Sequence, residues 1–264
     1  MRGSTRSRLI RHNDSVRYDV GRHVYGAAAI LFGICALAFR DFNVWQQIRP
    51  LGNIPYRELA LYLVAAIEIL GGIAIQFQRT ARAGALALGA LYFAFALLWL
   101  PIFLAKPHVY DSLGNFFEQF SMVSGALIVY ATFDRRNPAQ AGRIARTGYY
   151  GFAISVVSFT LEQLIYLRGT ADFIPNWIPW HMFWAVATTI AFALAAIALL
   201  TGRSALLAAR LTTAMIVGFG LLIWLPAPFS HPHGLNSWTG NAENLGIAGS
   251  AWILADYLRA ARRR

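Results

Sequence analysis

Residues 97–120 and 222–245 are two copies of one pattern, and this repeat constrains the fold more than any single segment does. Aligned without gaps, both carry Leu-x-Trp-Leu-Pro, so that Trp99 meets Trp224 and Pro101 meets Pro226. Further along, Pro107-His108 meets Pro232-His233, Ser112 meets Ser237, and Glu118 meets Glu243. The register also runs upstream, where Tyr25-Gly26 meets Tyr150-Gly151 and Pro50 meets Pro175. A repeat at a fixed interval decides the architecture before any other reading. Apolar stretches match one another by chance, whereas these Trp, Pro, His and Glu lie at helix ends and in loops. The duplication is therefore taken as real.

What is duplicated is a membrane unit. The 264 residues are 57% apolar and 13% charged, with a mean hydropathy of +0.48. That is more apolar surface than a water-soluble domain can cover. A helix needs roughly 20 mostly apolar residues to cross the hydrocarbon. Residues 83–105 qualify without a single charge, and similar spans fall near 22–40, 59–78, 116–133, 148–167, 180–201, 206–226 and 243–258. The expected fold class is an all-α polytopic membrane protein with eight transmembrane helices as two parallel four-helix repeats. An even number of crossings returns the chain to its starting side, so the second unit has the same orientation as the first. The organisation reads as a basic tail over 1–21, a first unit over 22–134, a linker over 135–147, a second unit over 148–258 and a basic tail over 259–264.

Net charge of +11 raises the question of nucleic acid, and its distribution answers it. With the N-terminus inside, 18 of the 23 Lys and Arg lie in cytoplasmic segments, leaving Arg40, Arg49, Arg57, Lys106 and Arg168 outside. This is the bias expected of membrane topology. No soluble basic face exists to hold nucleic acid. No small-residue cleavage site follows the Arg-rich tail, so the first span reads as retained. The chain is expected in the plasma (inner) membrane, in contact with the lipid bilayer, with both termini cytoplasmic. Cys35 is the only cysteine, which excludes an internal disulfide relay and reads as a small core residue.

Carboxyl groups inside hydrocarbon are costly unless paired, protonated or facing a cavity. Glu68 lies near the middle of the second span and Glu162 toward the outer end of the fifth; both are candidate proton acceptors. Glu118 and Glu243 open the fourth and eighth spans, where they would either answer the helix dipole or bind a ligand. His108, His181 and His233 fall on the same side and are ligand-binding candidates with Trp99 and Trp224. His231-Pro232-His233 has a spacing found in metal sites, but one His-x-His without further ligands reads more simply as a solvated loop. Trp45, Trp99, Trp177, Trp180, Trp184, Trp224 and Trp238 gather near the outer boundary, as an aromatic belt would. Pro101 and Pro226 end or kink their helices. Ser121 and Gly125 align with Gly246 and Ser250, small residues four apart that let helices approach closely in lipid.

Several of these features together resemble the DoxX-like membrane protein family. They are the Glu-x-x-Gly-Gly turn at 68–72, the proline-containing end of the third span, Asn115 and Glu118 at the fourth, and the stretch 173–179. The resemblance covers two tandem units, about 20–134 and 147–258. It implies an accessory subunit or ligand-binding component of a quinone-linked redox system, a quinone as the bound cofactor, and a redox partner protein. The chain departs from a simple doubling, because Ala193 stands opposite Glu68 and Leu37 opposite Glu162. A different class of function is also compatible: a non-enzymatic lipid-binding, permeation or assembly protein in which the carboxyl groups hold the bundle together.

Overall fold

The computed structural model describes residues 20–41, 55–134 and 136–262. The tail through residue 19, Trp45, Arg49, Pro50, Arg135, Arg263 and Arg264 lie outside the described residues. Among the described residues the chain is helical, with no strand. In order come α1 (Val20–Phe39), α2 (Arg57–Ala74), α3 (Ala81–Ala105), α4 (Asp111–Phe133), α5 (Pro138–Ile165), the short α6 (Leu167–Asp172), α7 (His181–Thr201) and α8 (Ala205–Phe219). A π-turn (Gly220–Trp224), the short α9 (Ala227–Ser230) and α10 (Leu235–Ala261) complete it.

Local chemistry sets several of the ends. Asn137 caps α5 by accepting Gln140 N at 3.1 Å, and Pro138 follows at the first turn, where its missing N–H costs nothing. Gly202, with φ 71°, ends α7 in the left-handed region that a glycine occupies without strain. Three helices begin well before their apolar spans. Helix α4 starts at Asp111 and α10 at Leu235 because the polar side chains of Ser112, Asn115, Ser237 and Thr239 are buried against protein. Helix α5 starts inside the 135–147 linker, where Ala141 and Ala145 are buried and Arg143 and Arg146 are exposed. Glu118 and Glu243 consequently sit about two turns inside their helices, which corrects the helix-dipole reading; that effect fades beyond the first turn.

Among the described residues, five helical segments are long and apolar enough to cross a membrane: Val20–Phe39, Ala81–Ala105, Asp111–Phe133, His181–Thr201 and Ala205–Ser230. Large apolar side chains such as Leu86, Leu104, Leu194, Leu207 and Phe229 point outward. A lipid bilayer is compatible with both observations, since lipid imposes no cost on that surface.

Helix α1 packs on α2, α2 on α3 and α3 on α4; α5 packs on α7, α7 on α8 and α8 on α10. Two seams join these groups, α4 against α5 and α10 against α1, and α4 also meets α10. Glycine makes the seams close. A Cβ on Gly249 would lie 2.7 Å from the Tyr25 backbone nitrogen, and one on Gly148 would lie 2.7 Å from the Ser124 carbonyl oxygen. Where α4 meets α10, a Cβ on Gly125 would lie 2.6 Å from Ser250 Oγ. Close backbone approach of this kind is the main source of helix association where lipid removes the hydrophobic drive. Tyr25 ties the centre together, fully buried with its hydroxyl donating to the Met122 carbonyl at 3.0 Å.

Candidate functional site

A cavity of about 810 Å³ lies between α4, α5, α6, α7, α8 with its π-turn, and α10. It is at the bundle end where α4 and α10 begin and α5 and α8 finish, opposite the end where α1 starts and α10 stops. Its volume is in the range of small-molecule sites. Most of the wall is apolar, with Phe159, Phe192, Phe219, Trp184 and Trp224 supplying aromatic surface. The loop after α6, through Phe173, Ile174, Pro175 and Ile178, closes one side.

Into this room come Glu118 from α4, Glu162 from α5 and Glu243 from α10, with Asp111 near its edge. The carboxyl groups of Glu118 and Glu162 accept no hydrogen bond among the described residues. Glu162 lies over Gly114 of α4, where a Cβ would stand 2.5 Å from its Oε1. Glu243 is only 3% exposed, and Gln119 Nε2 donates to its Oε1 at 3.5 Å. Gln119 is itself fully buried, and its own Oε1 has no partner among the described residues. No Lys, Arg or His lines the cavity among the described residues.

Hydrogen bonds fix the frame around these acids. Gln163 Oε1 accepts from Thr189 at 3.0 Å and from Thr188 at 3.4 Å, which holds α5 to α7 beside the cavity. The Tyr110 hydroxyl donates to Ser158 Oγ at 3.0 Å, tying the start of α4 to α5. At the end of α8 the chain widens into a π-turn, with Leu225 N donating to Gly220 O at 2.7 Å. Such turns disturb the regular carbonyl ladder, and α10 provides side-chain donors beside it, in addition to the Gly220 N–H that reaches the Ile216 carbonyl. Asn244 Nδ2 donates to Ile216 O at 3.0 Å, and Asn241 Nδ2 donates to Trp224 O at 2.6 Å. A Cβ on Gly220 would collide with Asn244 Nδ2, and one on Gly240 with the Trp224 ring.

The structure thus brings Glu118, Glu162, Glu243 and Trp224 together and leaves the other sequence candidates apart. Glu68 is buried on α2, close to Gly33 of α1, and its Oε1 has no hydrogen-bond partner among the described residues. Trp99 is fully buried, its Nε1 likewise without a partner among them. His108, His231 and His233 are exposed and His181 half-buried; none lines the cavity. No three His, Cys, Asp or Glu residues gather as a metal site among the described residues. Asn244 and the π-turn were missed by the sequence reading, although a signal existed. Gly218 and Gly220 stand where the first copy has Phe93 and Phe95, so the second copy is locally loosened just before Pro226.

The chain matches no protein-family model, no curated protein and no solved structure.

Proposed function

We propose that the chain is an integral membrane protein of eight spans, arranged as two parallel four-helix units, whose second unit, together with α4 of the first, binds a small amphipathic ligand from the outer side. The observation that carries this is the cavity itself: an aromatic, apolar room of about 810 Å³ into which three carboxyl groups from three different helices converge. Binding sites commonly combine an apolar wall with a few convergent polar groups. The packing scheme supports the two-unit reading. The neighbours α1–α2–α3–α4 are paralleled by α5–α7–α8–α10, and the seam α4–α5 by the seam α10–α1.

The DoxX-like resemblance adds a setting, that of a ligand-binding component in a quinone-linked redox system, with a redox protein as partner. The residues present fit the reduced form of such a cofactor. A quinol carries two hydroxyl donors on an apolar body, and Glu118, Glu162 and Glu243 offer acceptors within an apolar wall. When bound, the quinone would supply the electron chemistry; the chain's own residues would hold the head group and exclude water.

Native mass spectrometry of protein extracted gently from its own membranes tests the reading. A small amphipathic molecule retained by the wild type and lost in Glu162→Gln is the expected result. The Glu68→Gln variant reports in parallel whether the first unit's carboxyl takes part. Retention of structural phospholipid alone, equal in the wild type and Glu162→Gln, would transfer the protein to the lipid-binding or assembly class.

A further inference from the structure

The cavity also carries a statement about the charge of its ligand, resting on the reading that it binds one. Acidic side chains enter it from α4, α5 and α10, and no basic side chain lines it among the described residues. Burying a carboxylate without a countercharge is costly, so a buried carboxyl group either keeps its proton or enters the interior with a cation beside it. Asp134 follows the paired pattern, meeting Arg82 at 3.3 Å, whereas Glu68, buried on α2 away from the cavity, has no ion pair among the described residues. The acids around the cavity lack a basic partner too. Glu243 is 97% buried with a single hydrogen bond at 3.5 Å, and it lines the cavity. Beside it, fully buried Gln119 leaves Oε1 without a partner among the described residues.

Three further features bear on the kind of cation. The carboxyl groups do not gather with other ligands into a metal site among the described residues, so a compact metal ion is poorly served. The room is far larger than a bare ion requires. Its wall is aromatic, with Trp184 and Trp224 among the lining residues, and indole faces attract desolvated organic cations.

We propose that the cavity takes a lipophilic organic cation, a positive charge carried on an apolar body, with Glu118, Glu162 and Glu243 as its countercharge and the aromatic wall as its seat. The charge would exclude anions of the same size and shape.

Two ions of nearly one shape and opposite charge make the test. Tetraphenylphosphonium and tetraphenylborate are each titrated calorimetrically into the purified full chain in a neutral detergent, with protein-free micelles as the blank. Tetraphenylphosphonium is expected to bind saturably and tetraphenylborate not to. The double variant Glu162→Gln/Glu243→Gln is expected to weaken the cation by at least about tenfold, since truncating one side of a buried charge pair has large effects. Equal binding of both ions, or binding of the borate alone, would overturn the charge assignment while leaving a ligand cavity in place. A neutral short-chain quinol that binds where the phosphonium does not would do the same. If none of the three binds saturably, the ligand-binding reading falls together with the charge assignment. The wild-type comparison needs no variant, so a double variant that failed to fold would leave the test decisive.

Discussion

Gly114 is the residue on which the geometry of the acids turns. The place a methyl would take is occupied by the Glu162 carboxyl, 2.5 Å from the position of that methyl. Because the obstacle is the end of a flexible side chain, Gly114→Ala is expected to move the carboxyl and spare the helix. Its stability should stay within about 1 kcal/mol of wild type, the helix propensity of alanine offsetting the crowding. Its affinity for tetraphenylphosphonium should fall severalfold. A melt in detergent and the same titration check both, and unchanged affinity would mean that the carboxyl's position is immaterial. Asn244 makes the opposite case. Its Nδ2 serves the Ile216 carbonyl, which also accepts from the Gly220 N–H, so Asn244→Leu should cost about 0.5–1.5 kcal/mol, the net contribution of one hydrogen bond. An unchanged unfolding midpoint would show that the Gly220 N–H alone satisfies that carbonyl. At this scale the sequence was partly legible. Carboxyl groups in apolar runs stand out, and Glu118, Glu162 and Glu243 were singled out for that reason. Glu68 stands out equally and lies elsewhere, because hydropathy registers that a charge is in the membrane and is silent on which helix it faces.

Helix seams show how much of the packing follows from residue size. Gly249 approaches backbone, not a movable side chain: a Cβ there would lie 2.7 Å from Tyr25 N. Gly249→Leu must therefore push α10 away from α1, and a loss exceeding about 3 kcal/mol is expected, beyond the usual cost of overpacking a core that can yield. Gly142, on the exposed face of α5, has nothing within 4 Å of where a Cβ would stand. Gly142→Ala should be neutral or stabilise by up to about 1 kcal/mol. Comparable losses in the two variants would mean that the seams are not set by close approach. The small-residue spacing at Ser121, Gly125, Gly246 and Ser250 made the α4–α10 contact legible, since it was repeated at matched positions. Helix starts were less so. Buried Ser112, Asn115, Ser237 and Thr239 look like loop residues to a hydropathy window, and only the surrounding protein makes them helical.

Across the whole molecule, the distribution of Lys and Arg predicts which end faces which compartment, and that can be checked directly. With Cys35 replaced by alanine, His233→Cys lies at the cavity end and Gly142→Cys at the other, both exposed. A membrane-impermeant maleimide added to intact cells should modify the first and reach the second only after the membrane is broken. The reverse pattern would invert the orientation, and equal labelling would contradict a crossing between them. At this scale the all-helical, apolar character was legible, because length and hydropathy are enough to mark a helix that could cross a membrane. One contact carries this further. Positions 125 and 250 are counterparts in the repeat, so Gly125 against Ser250 sets a position against its own copy. In a pair of identical subunits such a meeting occurs only on the two-fold axis. On this reading the chain behaves as a homodimer whose partners share a backbone. True twins would have to carry two equal cavities, whereas joined ones are free to diverge. Glu162, Thr188 and Phe192 line the cavity in one half, with Leu37, Leu63 and Ile67 as their counterparts, and Trp99 is fully buried where Trp224 lines the wall. The room lies mostly in the second half, and the first half closes it with Asp111, Asn115 and Glu118 of α4.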